Sequence, residues 1–189
     1  MARSCREAGA IVKTNVLLKK LNAGVSAGDR RQLEVLAQGV SCKHGSQLAI
    51  DVTLRSAVSA LGEARGKAAD VDAFIADGAR ADKESKYHEI LNSRRCDLAV
   101  IASEVGGKWS KEAIDLVHEL ACDRARSAPV ALRGSARQAW KSRWVRLLSV
   151  ATAIAWAQSV LGAASDDVVH VQDGPVPVLE DVLCDAARG

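Results

Sequence analysis

The stretch GSQLAIDVTLRS, residues 45–56, places the tightest limit on what this chain can fold into. Leu48, Ile50, Val52 and Leu54 alternate with Ala49, Asp51 and Thr53, which is the two-residue period of a β-strand. Small or apolar residues stand on both faces, so the strand is predicted to be covered on both sides. A carboxylate in such a strand is costly unless a cation, a hydrogen-bond donor or a proton meets it. Any fold that uses this strand has to supply a partner for Asp51.

The neighbouring patterns predict what surrounds it. QLEVLAQ, residues 32–38, reads as a second strand, and the short connector GVSCKHG makes it the antiparallel neighbour of the first. CDLAVIASEV, residues 96–105, is a third covered strand ended by Gly106 and Gly107. Residues 33–37 and 48–54 are therefore predicted to pair antiparallel, with 99–103 in the same sheet. ARSCREAGA is a short helix closed by Gly9, and IVKTNVLLKKL, residues 11–21, is a strand or short mixed element. Residues 56–70 read as a surface loop. DVDAFIADGARADKESKYHEILNS, residues 70–93, is predicted to form one helix of about five or six turns. SKEAIDLVHELACDRA is an amphipathic helix with Ser110 as its N-cap. Beyond Pro129 a long helix is expected from about residue 130 to 162.

The fold class that follows is α/β: a small mixed sheet of three to five strands flanked by helices, with a long C-terminal helix. Three regions are expected: an α/β domain over 1–127, a basic, Trp-bearing helix packed on it over 128–163, and an acidic, loosely structured tail over 164–189.

Charge is distributed unevenly. Seven basic residues (Arg124, Arg126, Arg133, Arg137, Lys141, Arg143, Arg146) lie between positions 124 and 146 with no acid, whereas 163–189 holds six acids against Arg188. Such a segment points to a polyanion-facing surface. Five scattered cysteines without a CxxC pair suggest reduced thiols, hence an intracellular setting, nuclear or cytoplasmic. No secretory leader is expected from the N-terminal residues. LLSVATAIAWAQSVLGAA, residues 147–164, is uncharged and long enough to span a bilayer. Its alanines, with Ser149, Thr152, Gln158 and Ser159, make it a buried core helix in this reading; a tail anchor is the other one. A membrane is not an expected partner.

Glu34 and Asp51 are the acids that carry chemistry if the first two strands pair. Two facing carboxylates repel unless a cation or a proton lies between them. A few hard oxygen ligands with room for water and phosphate suit Mg²⁺, which can activate water for in-line displacement. On spacing alone the plainer outcome is Glu34 in solvent and Asp51 accepting from a loop. Cys42 and His44 form a lone C-x-H, too few ligands for zinc. No Gly-rich phosphate loop or nucleophile elbow is present, so no small-molecule cofactor is expected.

LEVLAQGVSCKHGSQLAIDVTL, ADKESKY and LAVIASEVGGKWSKEAI together resemble the restriction-endonuclease-like domain of site-specific non-LTR retrotransposons, a branch of the PD-(D/E)xK nucleases. The likeness covers roughly residues 3–126. It implies a Mg²⁺-dependent endonuclease that nicks DNA, with Glu34, Asp51 and Glu104 as metal ligands. Lys83 or Lys86, in a K-x-x-x-Y helix ending at Tyr87, would orient the attacking water and offset charge on the scissile phosphate. Three positions depart from the pattern: Thr53 stands where the third signature lysine would be, the first acid is Glu, and no PD precedes it. A degenerate copy is therefore also an expected outcome. It would be a catalytically inactive fragment that binds nucleic acid or protein through the helix at 130–162.

That helix carries its own signal. Arg133, Arg137 and Lys141 recur every four residues on one stripe, beside a second stripe of Trp140, Trp144, Leu148 and Ala151. Arg143 and Arg146 add charge, so the helix is predicted to bury its tryptophans and offer a basic ridge to DNA phosphates.

Overall fold

The computed structural model describes residues 1–21, 24–40, 46–59, 61–66, 74–161 and 174–188. Four strands form one mixed sheet: β1 (Ile11–Leu17), β2 (Gln32–Gln38), β3 (Gln47–Arg55) and β4 (Cys96–Glu104), in the order β1-β2-β3-β4. β2 pairs antiparallel with both β1 and β3, and β4 runs parallel to β3. The parallel step needs a crossover, supplied by α2 (Phe74–Lys86) and α3 (His88–Leu91). The predicted three-strand set is present in the predicted pairing, joined by β1 at one edge.

Each face of the sheet is covered. Val35, Ala37, Leu48, Ile50, Ala99 and Ile101 face α1 (Ala2–Glu7), α4 (Lys111–Ala125) and α5 (Arg133–Leu161). Leu36, Ala49, Leu98 and Val100 face the opposite side, where Tyr87 and Ile90 close the core. Ser110 caps α4 as expected, its Oγ accepting from the Ala113 N–H at 3.2 Å.

The β1–β2 ribbon changes faces partway along. Val12 and Val35 pack in the first core, yet Val16 and Leu33, of the same parity, lie in the second. Asn15 explains the switch: its φ of 52° puts one left-handed residue into β1 and reverses the alternation beyond it. Pairing with β2 continues on either side, through Thr14↔Val35 and Val16↔Leu33. Glu34 sits at this corner.

Three expectations are corrected. The single helix expected at 70–93 is two over its described residues, which start at Phe74, because Tyr87 leaves the helical conformation (φ −123°, ψ 36°) between α2 and α3; its buried ring explains why. The tail is not loose throughout: α6 (Leu179–Ala187) is helical and packs on α5, burying Val182. The apolar segment expected at 147–164, described as far as Leu161, is not a buried core helix. Beyond Leu148, α5 exposes Val150, Ile154, Trp156, Val160 and Leu161, whereas its first half is buried through Ala136, Ala139, Trp140 and Trp144 and packs on α4. Residues 130–161 are long and apolar enough to cross a membrane by length and composition alone. Cys42, His44 and the tail acids Asp166, Asp167 and Asp173 lie outside the described residues.

Candidate functional site

Asp51 lies in the middle of β3 with 1% of its surface exposed. Two groups meet it. Lys83 Nζ, from the last turn of α2, stands 2.5 Å from Oδ1. The Tyr87 hydroxyl lies 2.6 Å from Oδ2 and 2.8 Å from the Gln32 carbonyl. With one proton to give, Tyr87 donates to one acceptor at a time, and the charged carboxylate is the stronger. Burial, and then the hydrogen bond to Asp51, raise the Tyr87 pKa, which keeps the phenol protonated as a donor.

Local sequence explains why these groups converge. Lys83 and Tyr87 are four residues apart, and the Tyr87 N–H still donates to the Lys83 carbonyl at 2.9 Å, so the last turn of α2 brings both to Asp51. The break after Lys86 turns the Tyr87 ring into the core. Arg55 pairs with Asp82, so β3 holds α2 through residues 51 and 55 together. Arg31 pairs with Asp29 at 2.7 Å and Glu89 at 2.5 Å, tying the start of β2 to α3.

Glu34 completes the group from the other side of a gap in the sheet. The β2–β3 pairs run from Ala37↔Leu48 to Val35↔Ile50, and one further step would set Glu34 opposite Asp51. There the side chain takes over from the backbone: Val52 N–H donates to Glu34 Oε2 at 3.2 Å. Glu34 as a residue is exposed, but enough protein surrounds its carboxyl to count. Partial desolvation, and then the charge of Asp51, raise its pKa; the Val52 N–H and Lys83 act the other way.

The other predicted residues fall elsewhere. Glu104 ends β4 in register with Arg55, four residues beyond the level of Asp51, a separation of about 13 Å along the strand. Among the described residues no group of three or more His, Cys, Asp or Glu is placed to share a metal ion. Lys86 is exposed, with its ammonium 4.8 Å from the centroid of the Tyr87 ring, so Lys83 is the lysine at Asp51. On α5, Arg133, Arg137 and Arg146 are exposed and Lys141 is half-buried. Arg143 is a correction: its guanidinium binds Glu7 through two contacts of 2.9 Å and is spent inside the fold. That carboxylate also accepts from Trp144 Nε1 at 2.8 Å.

Sequence reasoning missed Glu7 and Gln32. A lone Glu in a short helix carries no signal of a partner 136 positions away, and a backbone carbonyl carries none at all. Chemically, the site offers one buried carboxylate held by an ammonium and a phenol, with a second carboxylate of raised pKa beside it. No family model, no curated protein and no solved structure matches this chain.

Proposed function

We propose that this chain is a retroelement-derived, metal-dependent DNA endonuclease-like domain, acting within the cell in the nucleus or cytoplasm. The observation that supports it most is the contact of Asp51 with Lys83 and Tyr87. The resemblance singled out these residues as motif members, and they meet at one buried carboxylate beside Glu34.

The donor set fits a hard divalent cation. Each carboxylate oxygen has two lone pairs, and the contacts with Lys83, Tyr87 and Val52 N–H leave several free. The mutual repulsion of Glu34 and Asp51 would be relieved by a cation, and Mg²⁺ needs only one or two carboxylates besides water and phosphate. Glu34 and Asp51 would hold the ion, which when bound supplies an activated water and neutralises charge on the phosphate. Lys83 keeps its ammonium at the same point and offsets negative charge there. Tyr87 fixes the orientation of Asp51.

The second reading, an inactive DNA-binding fragment, is favoured by one observation: both oxygens of Asp51 already face protein groups. Nicking of supercoiled plasmid by the purified chain separates the two. The endonuclease reading expects slow, Mg²⁺-dependent nicking that EDTA stops and that Asp51→Asn and Lys83→Met abolish while DNA binding persists. Binding without nicking at any Mg²⁺ or Mn²⁺ concentration would leave the inactive fragment.

A further inference from the structure

Two clefts flank the edge strand β1, and they share a wall. The first, about 490 Å³, is lined by Lys13, Lys20, Gln38 and Gln47, with Thr14 and Asn15 on its rim. Among the described residues no carboxylate lines it, in a chain with 23 acidic residues. Lys13 and Lys20 are both exposed. The second cleft, about 670 Å³, also has Thr14 and Asn15 on its rim; it holds Glu34 and Trp109 and is walled by Leu148 and Ala151 of α5. Both volumes fall in the range of about 300–1,000 Å³ usual for ligand sites.

Their chemistry is complementary. Two ammonium groups with amide donors and no acid suit a phosphate. A cleft with a partly exposed indole, an apolar helix wall and one carboxylate acceptor suits a nucleobase, whose flat face stacks and whose ring N–H or amino group donates. The left-handed Asn15 stands between them, at the corner that also sets Glu34 beside Asp51. Lysines that only guard a sheet edge against pairing do not need an amide-lined cleft, still less one that shares Thr14 and Asn15 with an aromatic one.

We propose that β1 is crossed by an unpaired DNA strand, with phosphate held at Lys13 and Lys20 and a base entering the cleft of Glu34 and Trp109. This rests on the nuclease reading and adds where the substrate lies and that it is single-stranded there. A duplex can bring phosphates to the lysines, but it can fill the second cleft only by flipping a base out.

Fluorescence anisotropy with labelled dT10, and with a hairpin duplex of equal phosphate number, tests it on the full chain over a range of salt. The expected result is tighter binding of dT10. Lys13→Gln with Lys20→Gln should lower its salt slope by about 1.4, at about 0.7 per phosphate. Trp109→Leu, with its fold checked by circular dichroism, should weaken dT10 binding about ten-fold and leave the slope unchanged. Equal affinity for hairpin and dT10, or an unchanged slope in the lysine variant, would overturn the proposal. So would loss of binding only on Arg133→Gln with Arg137→Gln. The nicking assay reports on the endonuclease reading separately, so binding that follows this pattern without nicking removes that reading and leaves the strand site.

Discussion

Asp51→Asn removes the charge from a side chain that Lys83 and Tyr87 both hold, and its effect on stability has a definite sign. Facing strands alone suggest that Asp51 chiefly repels Glu34, so that its loss would be neutral or stabilising. The ammonium at 2.5 Å reverses this: Asp51→Asn is expected to cost about 1–3 kcal/mol in urea unfolding without metal. Lys83→Met should cost more, about 3 kcal/mol, because it leaves a carboxylate with 2% exposure facing Tyr87 alone. Unchanged or increased stability in Asp51→Asn would show that repulsion from Glu34 dominates. The two positions were legible at this scale because a strand period and a four-residue helical spacing are local patterns. Choosing between Lys83 and Lys86 was not, since it depends on where α2 stops.

At the scale of elements, the contact between α1 and α5 decides how the N-terminal segment is held. α1 has six residues, too few to be stable alone. Glu7, 2% exposed, fastens it by accepting from Arg143, Trp144 and Arg3. Burial acts to raise the Glu7 pKa, but these hydrogen bonds outweigh it and the pKa is lowered. With the folded pKa below the unfolded one, the protein gains stability above the ordinary glutamate range. It loses that gain as pH falls through the folded pKa. Glu7→Gln is expected to cost about 3 kcal/mol near neutral pH, and the gap from the parent should narrow as pH falls below the ordinary glutamate range and through the folded pKa. Urea unfolding of both proteins across that range checks it; a gap independent of pH would mean that Glu7 acts through packing. Arg143, expected on the DNA-facing ridge, belongs to this clamp instead.

For the whole molecule, the distinctive feature is the distal half of α5. Trp140 and Trp144 are buried, at 1% and 0% exposure, with ring centroids 5.5 Å apart, while Trp156 is 46% exposed. Acrylamide should quench Trp156 and spare the first two. Trp156→Phe should remove the larger share of the quenchable emission, leaving that of the partly exposed Trp109, and change stability by no more than about 0.5 kcal/mol. A Trp156 shielded from acrylamide in the purified chain would mean that the exposed apolar face is covered by association.

Features that neighbours within a few positions decide can be read from the chain alone: the covered strands at 48–54 and 99–103, the cap at Ser110, the long helix after Pro129, and the pairing across a short connector. The tertiary structure decided the rest, because the deciding partner is distant in the chain. One left-handed residue, Asn15, turns β1 and β2 from one core to the other, which alternation cannot foresee. Among the described residues nothing covers the distal apolar face of α5, although its composition is that of a core helix. Asp51 needed a partner by elementary electrostatics, and only the packing of α2 against β3 could bring Lys83 and Tyr87 to it.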